Sequence, residues 1–260
     1  LKVVIHQGFH KTGTRTLQTM LFRNRSLLED RLNVLIPRDL KEAGFSARRY
    51  SLVQKDQVLR KFRQRVRHAL EPFDGRTDTP LLISSEEFAG MIPGRKDVWT
   101  YSQTHVLAET LVDEIDRFSD GTARITLFFT TRNASDWVRS VYWQNIRADR
   151  IQQDLVEYSE RLRQAADLDG VVNRVEEAVS PRADVVRLNV SGLDDRLFPV
   201  TKALSMLNVR SDDLLPVNNL NVQPEGAAEY FLELNRSTMT DEDVAAAKRA
   251  YLDGLKAARR

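Results

Sequence analysis

The chain has 260 residues, 42% hydrophobic and 29% charged, with a formal net charge of +2 and no cysteine. That length suffices for one α/β domain with a real core, the near-neutral charge gives no general affinity for polyanions such as nucleic acid, and the lack of cysteine excludes a disulfide scaffold, a thiol nucleophile and thiolate metal ligands. No run is long and apolar enough to span a bilayer; the cytoplasm is the expected compartment, and a segment preceding Leu1 would change that.

In chain order, the pattern predicts a strand over 2–6, a helix over 14–28 and a short strand over 32–36. A helix follows over 55–70, with Val58, Leu59, Phe62, Val66 and Leu70 on one face. Leu81 to Ser84 read as a buried strand, and 102–118 as a helix with Val106, Leu111, Ile115 and Phe118. Residues 123–131 form another buried strand, rich in β-branched and aromatic residues. The next helix has Asn133 or Ser135 as N-cap. Residues 150–179 are polar and helical, 183–189 are a strand, and helices near 199–207, 224–235 and 241–257 close the chain. Alternating β and α elements predict a central, mostly parallel sheet with helices on both faces, in one domain over 1–260. In such sheets ligands bind beyond the carboxyl ends of the strands.

Two strand ends carry anion chemistry. Val3-Val4-Ile5 runs into His6-Gln-Gly-Phe-His-Lys-Thr-Gly-Thr-Arg-Thr, and a helical pattern with Leu17, Met20 and Leu21 follows. Gly8 and Gly13 permit a tight turn, helix N–H groups favour an anion, Lys11 adds charge, and Thr12, Thr14 and Thr16 add hydroxyls. The loop departs from G-x-x-x-x-G-K-[ST], because Lys11 precedes Gly13. The strand over 123–131 ends in Arg132, where a P-loop kinase needs a metal-binding carboxylate. A guanidinium there suits bidentate recognition of phosphate. Trp137 and Tyr142 on the following helix read as core.

Together these segments resemble the signature of the sulfotransferases that use 3′-phosphoadenosine 5′-phosphosulfate, most closely the bacterial branch. Lys11-Thr12-Gly13-Thr14 is similar to the K-[TS]-G-T loop, and Arg132, Trp137, Ser140 and Tyr142 to R-x-x-x-x-W-x-x-S-x-Y. Asn33 to Pro37 and Asn221 to Arg236 are weaker points of likeness. The resemblance implies a P-loop-like three-layer α/β sandwich and transfer of a sulfuryl group to an acceptor hydroxyl, leaving adenosine 3′,5′-bisphosphate. It implies that Lys11 neutralises the departing bridge oxygen, that Thr12, Gly13, Thr14, Arg15 and Thr16 hold the 5′-phosphate, and that Arg132 and Ser140 clamp the 3′-phosphate. His10 precedes Lys11 and is placed at the donor site.

A base must take the hydroxyl proton. Glu86 and Glu87 follow the strand at 81–84, where the resemblance also places a His or Glu; Glu86 is nearer the strand end, and both would equally suit the start of a helix. His105 is the second candidate; His6 reads as a hydrogen-bonding residue of the fold and His68 as solvated. No histidine pair has zinc spacing, and no catalytic metal is expected. The basic run from Arg48 to Arg67 suits either a solvated face or an acidic glycan, and residues 145–165 a lid or acceptor wall. The expected acceptor is a carbohydrate or glycolipid hydroxyl. Two other classes remain open: a P-loop-type kinase with a rearranged loop, and a non-catalytic nucleotide-binding module.

Overall fold

The fold is described by a computed structural model covering residues 1–74, 78–195, 197–216 and 224–257. Its strands are β1 (Lys2–His6), β2 (Asn33–Leu35), β3 (Leu81–Ser84), β4 (Arg124–Thr131) and β5 (Asp184–Asn189). Between β1 and β2 lie α1 (Thr14–Arg23) and α2 (Arg25–Leu28), and between β2 and β3 lie α3 (Lys41–Val53) and α4 (Asp56–Leu70). α5 (Thr104–Phe118) joins β3 to β4, and α6 (Ala134–Ala148), α7 (Leu155–Ala166) and α8 (Leu168–Val179) join β4 to β5. α9 (Phe198–Met206), α10 (Ala227–Arg236) and α11 (Asp241–Ala257) follow.

The sheet order is β2-β3-β1-β4-β5, and every neighbouring pair is parallel. Side chains alternate across it, as the period of two requires. Val3, Ile5, Leu81, Ile83, Leu127 and Phe129 enter the larger core with α3 to α8. Val4, Leu82 and Phe128 enter the smaller one with Leu17 and Met20 of α1 and Leu204 of α9. Burial on both faces explains why these strands read as continuous apolar runs. The result is the expected three-layer α/β sandwich. From β1 the chain crosses to β2 on one side, whereas from β4 it proceeds to β5 on the other. The carboxyl ends of β1 and β4 therefore flank a crevice where the topology switches.

Three differences from the sequence expectations have physical causes. The helix expected over 14–28 breaks at Asn24, which is fully buried. Its Nδ2 donates to the Met20 and Leu215 carbonyls, and its Oδ1 accepts from the Leu215 N–H. α3 was not anticipated because Ala43, Gly44, Ser46 and Ala47 make up most of its buried face, leaving little apolar periodicity. The last difference is the helix expected from 224, which begins at Ala227 after Gly226 at φ +69°. Residues 221–223 of the tail segment lie outside the described residues. Among the described residues, no helix is long and apolar enough to cross a membrane.

Candidate active site

The β1–α1 loop is bent by left-handed residues at Gly8 (φ +46°), Lys11 (φ +71°) and Gly13 (φ +87°). At Gly8 an added Cβ would stand 2.8 Å from Thr14 Cγ2 and 3.0 Å from His6 Nε2, so glycine is required by space as well as by φ. Lys11 holds a conformation that side chains disfavour by about 1–2 kcal/mol, a strain characteristic of ligand loops. α1 starts with no side-chain cap and no acidic residue in its first turn. The Thr16 N–H bonds the Gly13 carbonyl at 3.0 Å, so the N–H groups of Thr14 and Arg15 and the helix dipole are what α1 offers an external anion.

The loop is fixed from below and from the side. His6, fully buried, pairs through Nδ1 with Ser84 Oγ at 2.9 Å and through Nε2 with Thr130 Oγ1 at 3.2 Å, tying together the ends of β1, β3 and β4. Thr12 Oγ1 meets Thr130 Oγ1 at 2.8 Å and donates to the Phe9 carbonyl at 2.8 Å. This corrects the expectation that the Thr12 hydroxyl holds the donor: it is buried and spent on the fold. Trp137 Nε1 donates to the His10 carbonyl at 2.8 Å, so this core tryptophan connects the two anion motifs directly. Tyr142 is core as well, its hydroxyl donating to the Gln153 carbonyl.

Above the loop opens a cleft of about 1180 Å³. Its lining includes His10, Lys11, Gly13, Thr14, Arg15 and Thr16 from the loop, and Arg132 and Ser140 from the second motif. The structure thus gathers residues more than 110 positions apart into one site. Lys11, Arg15, Arg132 and Arg147 all face it, and among the described residues none of the four forms an ion pair with a carboxylate. Burial, then the fields of Arg147, Arg132 and Arg15, push the Lys11 ammonium down to about 8. Burial, together with Arg95 and Arg15, also lowers Arg147. Burial and neighbouring cations thus lower both Lys11 and Arg147, and with no ion pair to the four among the described residues the cleft is a candidate anion site.

The two glutamates share the cleft but differ in their bonds. They open a short 3₁₀ turn, Glu86–Ala89, rather than an α-helix. Glu86 Oε2 accepts from Gln18 Nε2 at 2.7 Å. Glu87 is clamped by Arg48 of α3, and its carboxylate lies against Gly44, where a Cβ would collide with it. Burial raises the Glu87 carboxyl, an effect that Arg48 opposes. His10 Nδ1 bonds the Tyr101 hydroxyl at 3.1 Å, and burial pushes the imidazole down to about 4, so it is neutral at pH 7. His105 sits half-buried on the first turn of α5, away from the cleft lining.

Several cleft residues escaped the sequence reading. Arg147 lies seven positions after Ser140 on α6, a spacing that places both on one helix face and could have revealed it. Within 145–165, only Arg147 and Asp149 line the cleft. Arg95 joins Asn145 Oδ1 at 2.7 Å and Asp149 at 3.1 Å, and no local signal marked it. The basic run divides: Arg48 and Arg49 line the cleft, whereas Arg63 and Arg67 bind Glu114 and Arg65 binds Glu42.

Fold and site together define an α/β protein with a cation-lined cleft at the carboxyl ends of a parallel sheet. No protein-family model matches the chain, and no curated protein matches it. Among solved structures, a sulfotransferase from Alicyclobacillus acidocaldarius is similar over 99% of this chain and 98% of that one, at 17% identity and a TM-score of 0.44. At that level of likeness, function rests on the residues of the cleft.

Proposed function

We propose that the chain is a sulfotransferase that takes a sulfuryl group from 3′-phosphoadenosine 5′-phosphosulfate and passes it to a hydroxyl, on a carbohydrate or glycolipid acceptor. The observation that carries this reading is the convergence of Lys11, Arg15, Arg132 and Arg147, without carboxylate partners among the described residues, on an uncapped helix N-terminus. A donor with a 5′-phosphosulfate and a 3′-phosphate supplies anions for two such places. The loop N–H groups, Thr14, Arg15 and Thr16 hold the 5′ end, and Arg132 with Ser140 holds the 3′-phosphate. The cleft exceeds the roughly 300–1,000 Å³ of an ordinary small-ligand pocket, leaving a second wall, from α3 and residues 91–96, for the acceptor.

In the reaction the acceptor oxygen bonds to sulfur while the bond from sulfur to the bridging phosphate oxygen breaks, and that oxygen keeps the electron pair. Lys11 stabilises the charge that collects there, and Glu86 takes the hydroxyl proton. Glu86 is favoured over Glu87 because Arg48 already occupies the latter. A kinase would want a carboxylate where β4 delivers Arg132.

Calorimetry with adenosine 3′,5′-bisphosphate, without magnesium and with ADP as control, tests the donor site. Binding that prefers the 3′-phosphate is the expected result. Preference for ADP with magnesium would replace this reading with the kinase, and binding without any donor turnover would leave a nucleotide-binding module.

A further inference from the structure

Gln18 has no role in the functions considered so far, yet it makes the 2.7 Å contact to the Glu86 carboxylate. It stands on α1, little more than one turn from the N-terminus that faces the cleft. Its amide nitrogen also approaches Ser84 Oγ at 3.4 Å, and Ser84 in turn bonds His6 beneath the loop. A primary amide has two donor hydrogens. One spent on Oε2 of Glu86 fixes the carboxylate plane and leaves its other oxygen for the acceptor.

We propose that Gln18 is a positioning residue: it aims Glu86 at the acceptor hydroxyl, so that one rigid helix both receives the donor anion at its N-terminus and orients the base. The proposal rests on the sulfotransferase reading above. It makes α1 the shared reference frame of donor and base, which reaction geometry demands, since misplacement by about 1 Å can cost a hundredfold in rate. Glu87 offers the contrast, because its partner Arg48 comes from α3, on the acceptor wall.

The test is a double-mutant cycle of Gln18→Met and Glu86→Gln, read as release of adenosine 3′,5′-bisphosphate from the donor. A panel of sugar alcohols serves as acceptor, with water as the acceptor of last resort. Methionine keeps the length of glutamine and is a good helix former. Q18M should lower kcat about tenfold with unchanged KM for the donor and unchanged Kd for the bisphosphate. In the Glu86→Gln background the same change should cost nothing further, because its effect passes through Glu86. An equal loss in both backgrounds, or a weakened Kd, would overturn the proposal and make Gln18 a residue of general structure. Failure of the underlying reading looks different: the wild-type protein then binds no bisphosphate, or binds it and consumes no donor, and the positioning role falls with it.

Discussion

Two arginine-rich regions of this molecule behave in opposite ways. On α4, Arg63 and Arg67 both reach Glu114 of α5, a carboxylate only 2% exposed, and Arg63 also meets Asp113 at 2.8 Å. Arg182 joins the same Asp113 at 2.6 Å. In the cleft, Lys11, Arg15, Arg132 and Arg147 have no such partners among the described residues, and burial together with neighbouring cations lowers the proton affinity of Lys11 and Arg147. The first region is internal cross-linking of α4 to α5. The second holds cations without carboxylate partners among the described residues, a charge that a bound anion would offset. Charge density along the sequence does not separate the two: in the basic run, Arg63, Arg65 and Arg67 pair with carboxylates, whereas the cleft cations are scattered from position 11 to 147.

The sharpest way to break this comparison is Lys11→Ala. Removal of a group that stabilises charge developing on a leaving oxygen costs about 10²–10³ in kcat, or roughly 3–4 kcal/mol. Thermal unfolding should not shift downward, because the change relieves repulsion with Arg15, Arg132 and Arg147. Turnover near wild type in K11A would remove Lys11 from the chemistry.

The converse substitution is Arg63→Met with Arg67→Met. It strands the Glu114 carboxylate in the α4–α5 interface. Breaking a buried pair from one side costs about 3–5 kcal/mol; both arginines are partly exposed, so water can enter and about 2 kcal/mol is expected. Chemical denaturation measures it, and the affinity for adenosine 3′,5′-bisphosphate should stay unchanged. If that affinity falls instead, the two regions are not separate in function.

The same contrast explains what could be read in advance. β1, β3 and β4 were legible because burial on both faces makes each a continuous apolar run, and the loop because glycine, lysine and threonine between a strand and a helix have few other uses. Arg132 was legible from its place at a strand end. The inward turn of Thr12 was not, since it depends on Thr130, 118 residues away. Nor was α3, whose buried face carries small residues so that the Glu87 carboxylate can lie against Gly44. The different bonding of Glu86 and Glu87 is equally non-local: Gln18 holds one and Arg48 the other, and adjacent glutamates look alike until their partners are known.

The smallest expected effect is a pH dependence that isolates one cation. With its proton affinity depressed to about 8, Lys11 is charged at pH 7 in the free protein and loses its proton as pH rises through 8. A bound phosphate beside it favours the charged form, so above pH 8 binding must take up a proton, and affinity falls by at most tenfold per pH unit. The ligand adds nothing in this range, because phosphate monoesters complete their ionisation near pH 6, the guanidinium groups stay charged, and His10 titrates near 4. Bisphosphate affinity should therefore weaken about tenfold from pH 7 to 9, or ~1.4 kcal/mol. Calorimetry across that interval in buffers of different ionisation enthalpy would count the proton directly. K11A should bind more weakly at pH 7 and show a flat profile. A slope that survives the substitution would assign the proton to another group and place Lys11 outside the anion's field.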